Sequence, residues 1–102
     1  MRDVRVARFA DLPAGGFLRV EVDGTGMVLA RVGDGVHALS DECAHQGGPL
    51  GEGRLSGSKI TCPWHGWMFD VRTGQCVFPG RGASVPSYPV RLEAGEVLVE
   101  LP

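Results

Sequence analysis

Cys43-Ala44-His45-Gln46-Gly47-Gly48-Pro49-Leu50 and Cys62-Pro63-Trp64-His65-Gly66 decide the reading of this chain. Four of its six Cys and His residues lie in these two stretches. Each stretch holds one thiol and one imidazole, separated by one residue in the first and by two in the second. On a loop, that spacing lets both side chains reach one small inorganic object. Two such loops facing each other supply four ligands of two chemical kinds. Gly47, Gly48 and Gly66 sit beside the pairs, where the backbone must turn sharply and approach a bound group closely. Pro49 and Pro63 fix φ and reduce the entropy lost on ordering.

Two metal sites take such a set. Structural zinc binds four tetrahedral ligands, but the usual finger places two Cys on one arm and two His on the other. A 2Fe-2S centre of the Rieske type takes a Cys pair on one iron and a His pair on the other. One Cys and one His per loop meets that need. With Gly47-Gly48-Pro49-Leu50 between them and Phe69-Asp70-Val71-Arg72-Thr73-Gly74 downstream, the two stretches resemble the cluster loops of Rieske proteins. The likeness is greatest to small Rieske-type ferredoxins, which pass electrons to aromatic-ring oxygenases. It covers the layout of the whole chain and is specific from about Cys43 to Val77.

The resemblance implies one 2Fe-2S cluster held by Cys43, His45, Cys62 and His65. It implies that the His-bound iron lies outermost, with the edges of His45 and His65 at the surface. It also implies an antiparallel β-sandwich or barrel base, with a cluster-binding subdomain inserted at about 41–80 of a single domain, 1–102. Replacing two thiolates by neutral imidazoles raises the potential from roughly −400 mV into a window of about −150 to +300 mV. High-potential relatives carry one extra Cys in each loop, joined as a disulfide; Gly48 and Trp64 stand at the matching positions. Those relatives also use a Ser and a Tyr hydroxyl near the cluster, where this chain has Trp67 and Phe69. A low-potential centre without the loop disulfide is therefore expected.

The bounds agree. A chain of 102 residues fits one domain with a modest core. Its net charge is −2, its one lysine is Lys59, and its arginines are scattered, so the clustered cationic face that nucleic acid requires is missing. No apolar run has the length of a signal peptide or a membrane span, and a cytoplasmic protein is expected. Three Cys is an odd count that disfavours a disulfide framework. Cys76 reads as a small apolar strand residue, and His37 as a half-exposed one.

Sixteen Gly and seven Pro, spread without repeat, read as turns between short strands. A strand is expected over Val4 to Phe9. Leu18, Val20 and Val22, then Val28, Ala30 and Val32, alternate with polar residues around Asp23-Gly24-Thr25-Gly26 and predict a hairpin with one buried face. Val36 to Leu39 leads into the first motif, and Lys59-Ile60-Thr61 into the second. A small hairpin is bracketed by Gly51 to Leu55 and Ser56 to Ser58. Trp67 to Val71 and Cys76 to Phe78 follow as strands, with 79–84 as either a third wall over the cluster or a plain connector. Val90 and Leu92, then Val97, Val99 and Leu101, form a last hairpin that leaves Leu98 outward without explanation. With no 3.6-residue periodicity, the fold class is all-β. Trp67 is expected in the core, and Trp64 either there or in a docking patch with Pro49 and Leu50.

Three functions fit: an electron carrier between a flavoprotein reductase and a terminal oxygenase, a small subunit of an assimilatory nitrite reductase-like complex, and a structural zinc module. The chain is not expected to be an enzyme by itself. A Rieske oxygenase needs a further iron held by two His and a carboxylate, and only His37 is left after the four ligands.

Overall fold

The structure, a computed structural model, describes residues 2–42, 48–64 and 66–101. The described residues form three antiparallel sheets. Strands β1 (Arg2–Arg8), β10 (Val90–Glu93) and β11 (Glu96–Leu101) make a terminal sheet in the order β1-β11-β10. Strands β2 (Phe17–Val22), β3 (Thr25–Val32), β4 (Gly35–Ser40) and β9 (Ser87–Tyr88) make a middle sheet in chain order. Strands β5 (Arg54–Ser56), β6 (Lys59–Thr61), β7 (Met68–Asp70) and β8 (Cys76–Phe78) make a third sheet, also in chain order. The all-β expectation holds, and two single 3₁₀ turns, Phe9–Asp11 and Leu50–Glu52, are the departures from it.

Turn chemistry sets the registers. Val22 faces Thr25 across the two-residue loop Asp23-Gly24, whose φ values are 50° and 82°. Glu93 faces Glu96 across Ala94-Gly95, at 51° and 79°. A loop with both central residues left-handed matches the twist of paired strands, and glycine takes that conformation without strain. A slip of one residue would turn every side chain to the other face.

The middle sheet is buried on both sides, which the expected alternation with one buried face did not anticipate. Met27, Val28, Leu29 and Ala30 are each fully buried. Val28, Ala30 and Leu39 pack with Leu50, Ile60, Cys62, Phe69, Val71, Cys76 and Val85. Met27, Leu29, Val36 and Ala38 pack on the other side with Val97, Val99 and Leu101. A strand covered on both faces reads as a continuous apolar run, and 27–30 is one.

The small hairpin, the middle hairpins and the last hairpin form as expected. Two expectations are corrected, and one strand is new. Phe9 belongs to a 3₁₀ turn rather than to β1, its N–H donating to Gly95 O at 2.9 Å. The expected strand Trp67 to Val71 shortens to Met68–Asp70. The two-residue strand β9 pairs Ser87 and Tyr88 with Leu39 and Ala38, a contact too short to leave a periodic signal. Leu98 is explained by its cross-strand neighbours: Arg5 and Arg91 flank it on β1 and β10. Arginine stems cover apolar surface while the charged ends reach water, and Arg91 goes on to pair with Asp3 at 2.7 Å.

Candidate metal centre

The third sheet presents the second motif. Its first cross-strand row is Arg54, Thr61, Met68 and Phe78. Cys62 follows Thr61 directly, so this row marks the end of the sheet that faces the motif. Cys62 N–H donates to Trp67 O at 2.7 Å, closing the backbone over the residues between them. The Cys62 side chain is 1% exposed and packs with Leu50, Ile60 and Phe69. Its Sγ accepts a hydrogen bond from the backbone N–H of Trp64 at 3.4 Å.

The first motif meets the second at Gly48. A Cβ built there would lie 2.9 Å from Cys62 Sγ and 3.0 Å from two atoms of the Trp64 indole. The end of one motif is therefore pressed against the sulfur of the other. Of the four expected ligands, Cys62 is the one this structure describes; Cys43, His45 and His65 lie outside the described residues. A sulfur bonded by a backbone N–H, walled by a glycine and closed to water suits a cluster thiolate. Hydrogen bonds to sulfur stabilise the more negative, reduced form.

The residues that lead into the first motif are held tightly. Asp41 is the one charged residue among the described residues that is buried, at 8% exposure. Its Oδ2 accepts from Arg19 Nε at 2.9 Å and its Oδ1 from Gly51 N–H at 2.6 Å. The Asp41 hydrogen bond and charge hold the Arg19 guanidinium above its ordinary pKa, so it stays a cation. The alternation of Leu18, Val20 and Val22 places Arg19 outward, as one of the scattered arginines. Nothing in the pattern reveals a partner 22 positions away.

Cys76 is buried and donates its S–H to Phe78 O at 3.1 Å, as suits a small core residue. His37 is half-buried in β4 opposite Ala30. Trp67 packs partly buried against the core, whereas Trp64 is 48% exposed. Of the two residues suggested as Trp64's companions in a docking patch, Leu50 is buried in the core. Exposed apolar side chains come instead from Val77 and Phe78. The 79–84 segment folds back on β8, with Cys76 N–H donating to Ala83 O at 2.9 Å and Gln75 bridged to Ser84.

The family profile of the Rieske [2Fe-2S] domain matches residues 2–89, and the chain belongs to that family. One Rieske-type 2Fe-2S cluster is accordingly its cofactor, which sets the zinc reading aside. The ferredoxin component of a naphthalene 1,2-dioxygenase system from Pseudomonas aeruginosa is 32% identical over 91 residues, covering 89% of this chain and 88% of that protein. The ferredoxin of carbazole 1,9a-dioxygenase from Nocardioides aromaticivorans IC177 superposes with a TM-score of 0.88 at 35% identity, covering 97% of each chain. A complex of reduced oxygenase and oxidized ferredoxin in carbazole 1,9a-dioxygenase contains a chain 34% identical to this one, with a TM-score of 0.88 and coverage of 95% and 91%. These likenesses are to electron carriers of the ferredoxin kind, not to catalysts. No helix among the described residues is long and apolar enough to cross a membrane.

Proposed function

We propose that this chain is a one-electron carrier, taking electrons from a flavoprotein reductase and delivering them to the terminal oxygenase of an aromatic-ring dioxygenase system. Cys43 and Cys62 hold one iron, and His45 and His65 the other. The cluster, when bound, takes up and releases single electrons. Cys62 and the Trp64 N–H hold the sulfur side, and Gly48 closes the gap between the motifs. The chain acts as one unit, 1–102, with its cluster-binding part at about 41–80; the third sheet, Arg54 to Phe78, falls inside that range. It works in the cytoplasm.

The observation that carries this reading is the meeting of Gly48 with Cys62 Sγ beside the exposed Trp64. Phe78, 58% exposed, lies on the sheet row that abuts Cys62. An apolar rim beside a redox centre suits brief docking to a partner, and the similarity to the ferredoxin caught with its oxygenase supports that partner. The potential is low within the Rieske window: Phe69 is fully buried in the core and, like Trp67, has no hydroxyl to offer a sulfur.

The test is the anaerobic visible and EPR spectrum of the purified protein, followed by single-turnover mixing of its reduced form with a terminal oxygenase. Mixed ligation gives an average g well below that of all-thiolate ferredoxins. Substitution of His45 or His65 should abolish or reshape the signal, and substitution of His37 or Cys76 should leave it. Colourless protein without acid-labile sulfide, or electrons that never reach the oxygenase, would overturn the reading.

A further inference from the structure

We propose that Arg19 and Asp41 are positioning residues for the cluster: a charged clasp that ties both ends of the first motif to the middle sheet. The inference rests on the ligand assignment given above. Asp41 stands two residues before Cys43 and is bonded in four directions. Its N–H donates to Gly26 O on β3 at 3.1 Å, and its Oδ2 accepts from Arg19 on β2. Its C=O accepts from Leu50 N–H at 2.8 Å, and its Oδ1 from Gly51 N–H at 2.6 Å. The next residue, Glu42, bridges to Pro49. One residue, through backbone and side chain together, thus joins the way in, the way out and the sheet beneath.

The clasp is also closely packed. A Cβ on Gly51 would lie 2.7 Å from Asp41 Oδ1 and 3.1 Å from Arg19 Cβ. One on Gly26 would lie 2.9 Å from the Arg19 guanidinium. The carboxylate has little room for a second arrangement, whereas the guanidinium, 46% exposed, also lies 3.7 Å from Glu21. Gly48, which abuts Cys62 Sγ, is two residues from Leu50, so slack at the clasp is passed to the place where the motifs meet.

The charges make the idea separable from plain electrostatics. Removing a cation near a redox centre lowers its potential, and removing an anion raises it. Loss of position acts in one direction for both. Arg19→Gln and Asp41→Asn should each release iron to a chelator roughly tenfold faster than wild type, the scale of losing a charge-assisted bond whose partner stays buried. Both should shift the g values of the reduced protein. The double variant should be no faster than the worse single one, because a shared contact is lost only once. Arg19→Lys keeps the charge without the Nε donor and should fall between. Asp3→Asn, which breaks the exposed pair with Arg91 on the terminal sheet, serves as the control.

Opposite potential shifts in Arg19→Gln and Asp41→Asn, with unchanged g values and release rates, would overturn the clasp. So would lowered melting temperatures alone, including the case where Arg19→Lys is the one variant that folds and behaves as wild type. A wild-type protein without the mixed-ligand signal would instead sink the ligand assignment, so the two failures are told apart.

Discussion

Gly48→Ala adds one methyl group at the tightest point of the site. That carbon would sit 2.9 Å from Cys62 Sγ and 3.0 Å from the Trp64 indole, where unstrained contacts between heavy atoms lie at about 3.5–4.0 Å. Something must move by about half an ångström or more. Trp64 can yield, since it is half exposed. Cys62 has little freedom to, since it is 1% exposed and lies in the core cluster that includes Leu50, Ile60 and Phe69. Overfilling of this kind costs about 1–3 kcal/mol, or roughly 5- to 150-fold in an equilibrium. On the proposed ligation the crowded atom is a cluster ligand, so cluster retention is the readout. Iron and acid-labile sulfide content, the reduced EPR spectrum and the rate of bleaching in chelator would all report it. Gly57→Ala is the comparison. Gly57 has φ of 59° and open space around its Cβ position, so alanine there pays only left-handed strain of roughly 1–2 kcal/mol. It should lower the melting temperature and leave the spectrum alone. A Gly48→Ala protein with full cluster content, wild-type g values and wild-type release would refute the reasoning.

The docking rim predicts that Phe78→Ser changes stability by no more than about 0.5 kcal/mol. The same change should slow electron delivery to the oxygenase roughly tenfold at unchanged potential, as for an exposed contact that matters only in the complex. A redox titration should give a midpoint near the lower end of the Rieske window and below about +100 mV; a higher value would contradict the missing hydroxyls. Asp70 supplies a pH signature. The Arg72 side chain, helped by its backbone N–H, holds the Asp70 carboxyl below the usual carboxylate range against partial burial. A depressed folded pKa contributes stability above the ordinary value of about 3.9, lost as pH falls through the lower folded one. The melting-temperature gap between wild type and Asp70→Asn should therefore be full at neutral pH and close below about pH 4. A gap independent of pH would sink that account.

Local rules carried much of this structure. Gly24 and Gly95 announce their hairpins because few other residues accept left-handed backbone without strain. The motif residues announce a cluster because few side chains bind iron. What escaped depends on distance along the chain. The pairing of β1 with β11 joins the two ends, and no periodicity within either strand names its partner. Burial of β3 on both faces was legible in Met27-Val28-Leu29-Ala30, but the alternation of Val28, Ala30 and Val32 masked it. Arg19 could be placed on a strand, yet its role depends on Asp41 arriving beneath the first motif. The docking rim needed the register of β7 with β8, which brings Phe78 beside Met68 and so to the motif end of the sheet.

The double burial of the middle sheet divides the labour of the chain. Its two faces serve separate cores, one containing Cys62 and one shared with the terminal sheet. Substitutions in the terminal-sheet core, such as at Val97 or Val99, act on overall stability and are separated from the core of Cys62 by the middle sheet. Substitutions at Phe69, Ile60 or Leu50 touch the packing that holds Cys62 itself. Arg19 on β2 and Asp41 just after β4 join the middle sheet to Gly51 by charge and hydrogen bonds rather than by apolar contact. That placement suits an electron carrier, whose centre must keep nearly the same geometry in both oxidation states. A sheet clamped from both sides deforms little, and Asp41, bonded to that sheet through Gly26 and Arg19, fixes the way into the first motif.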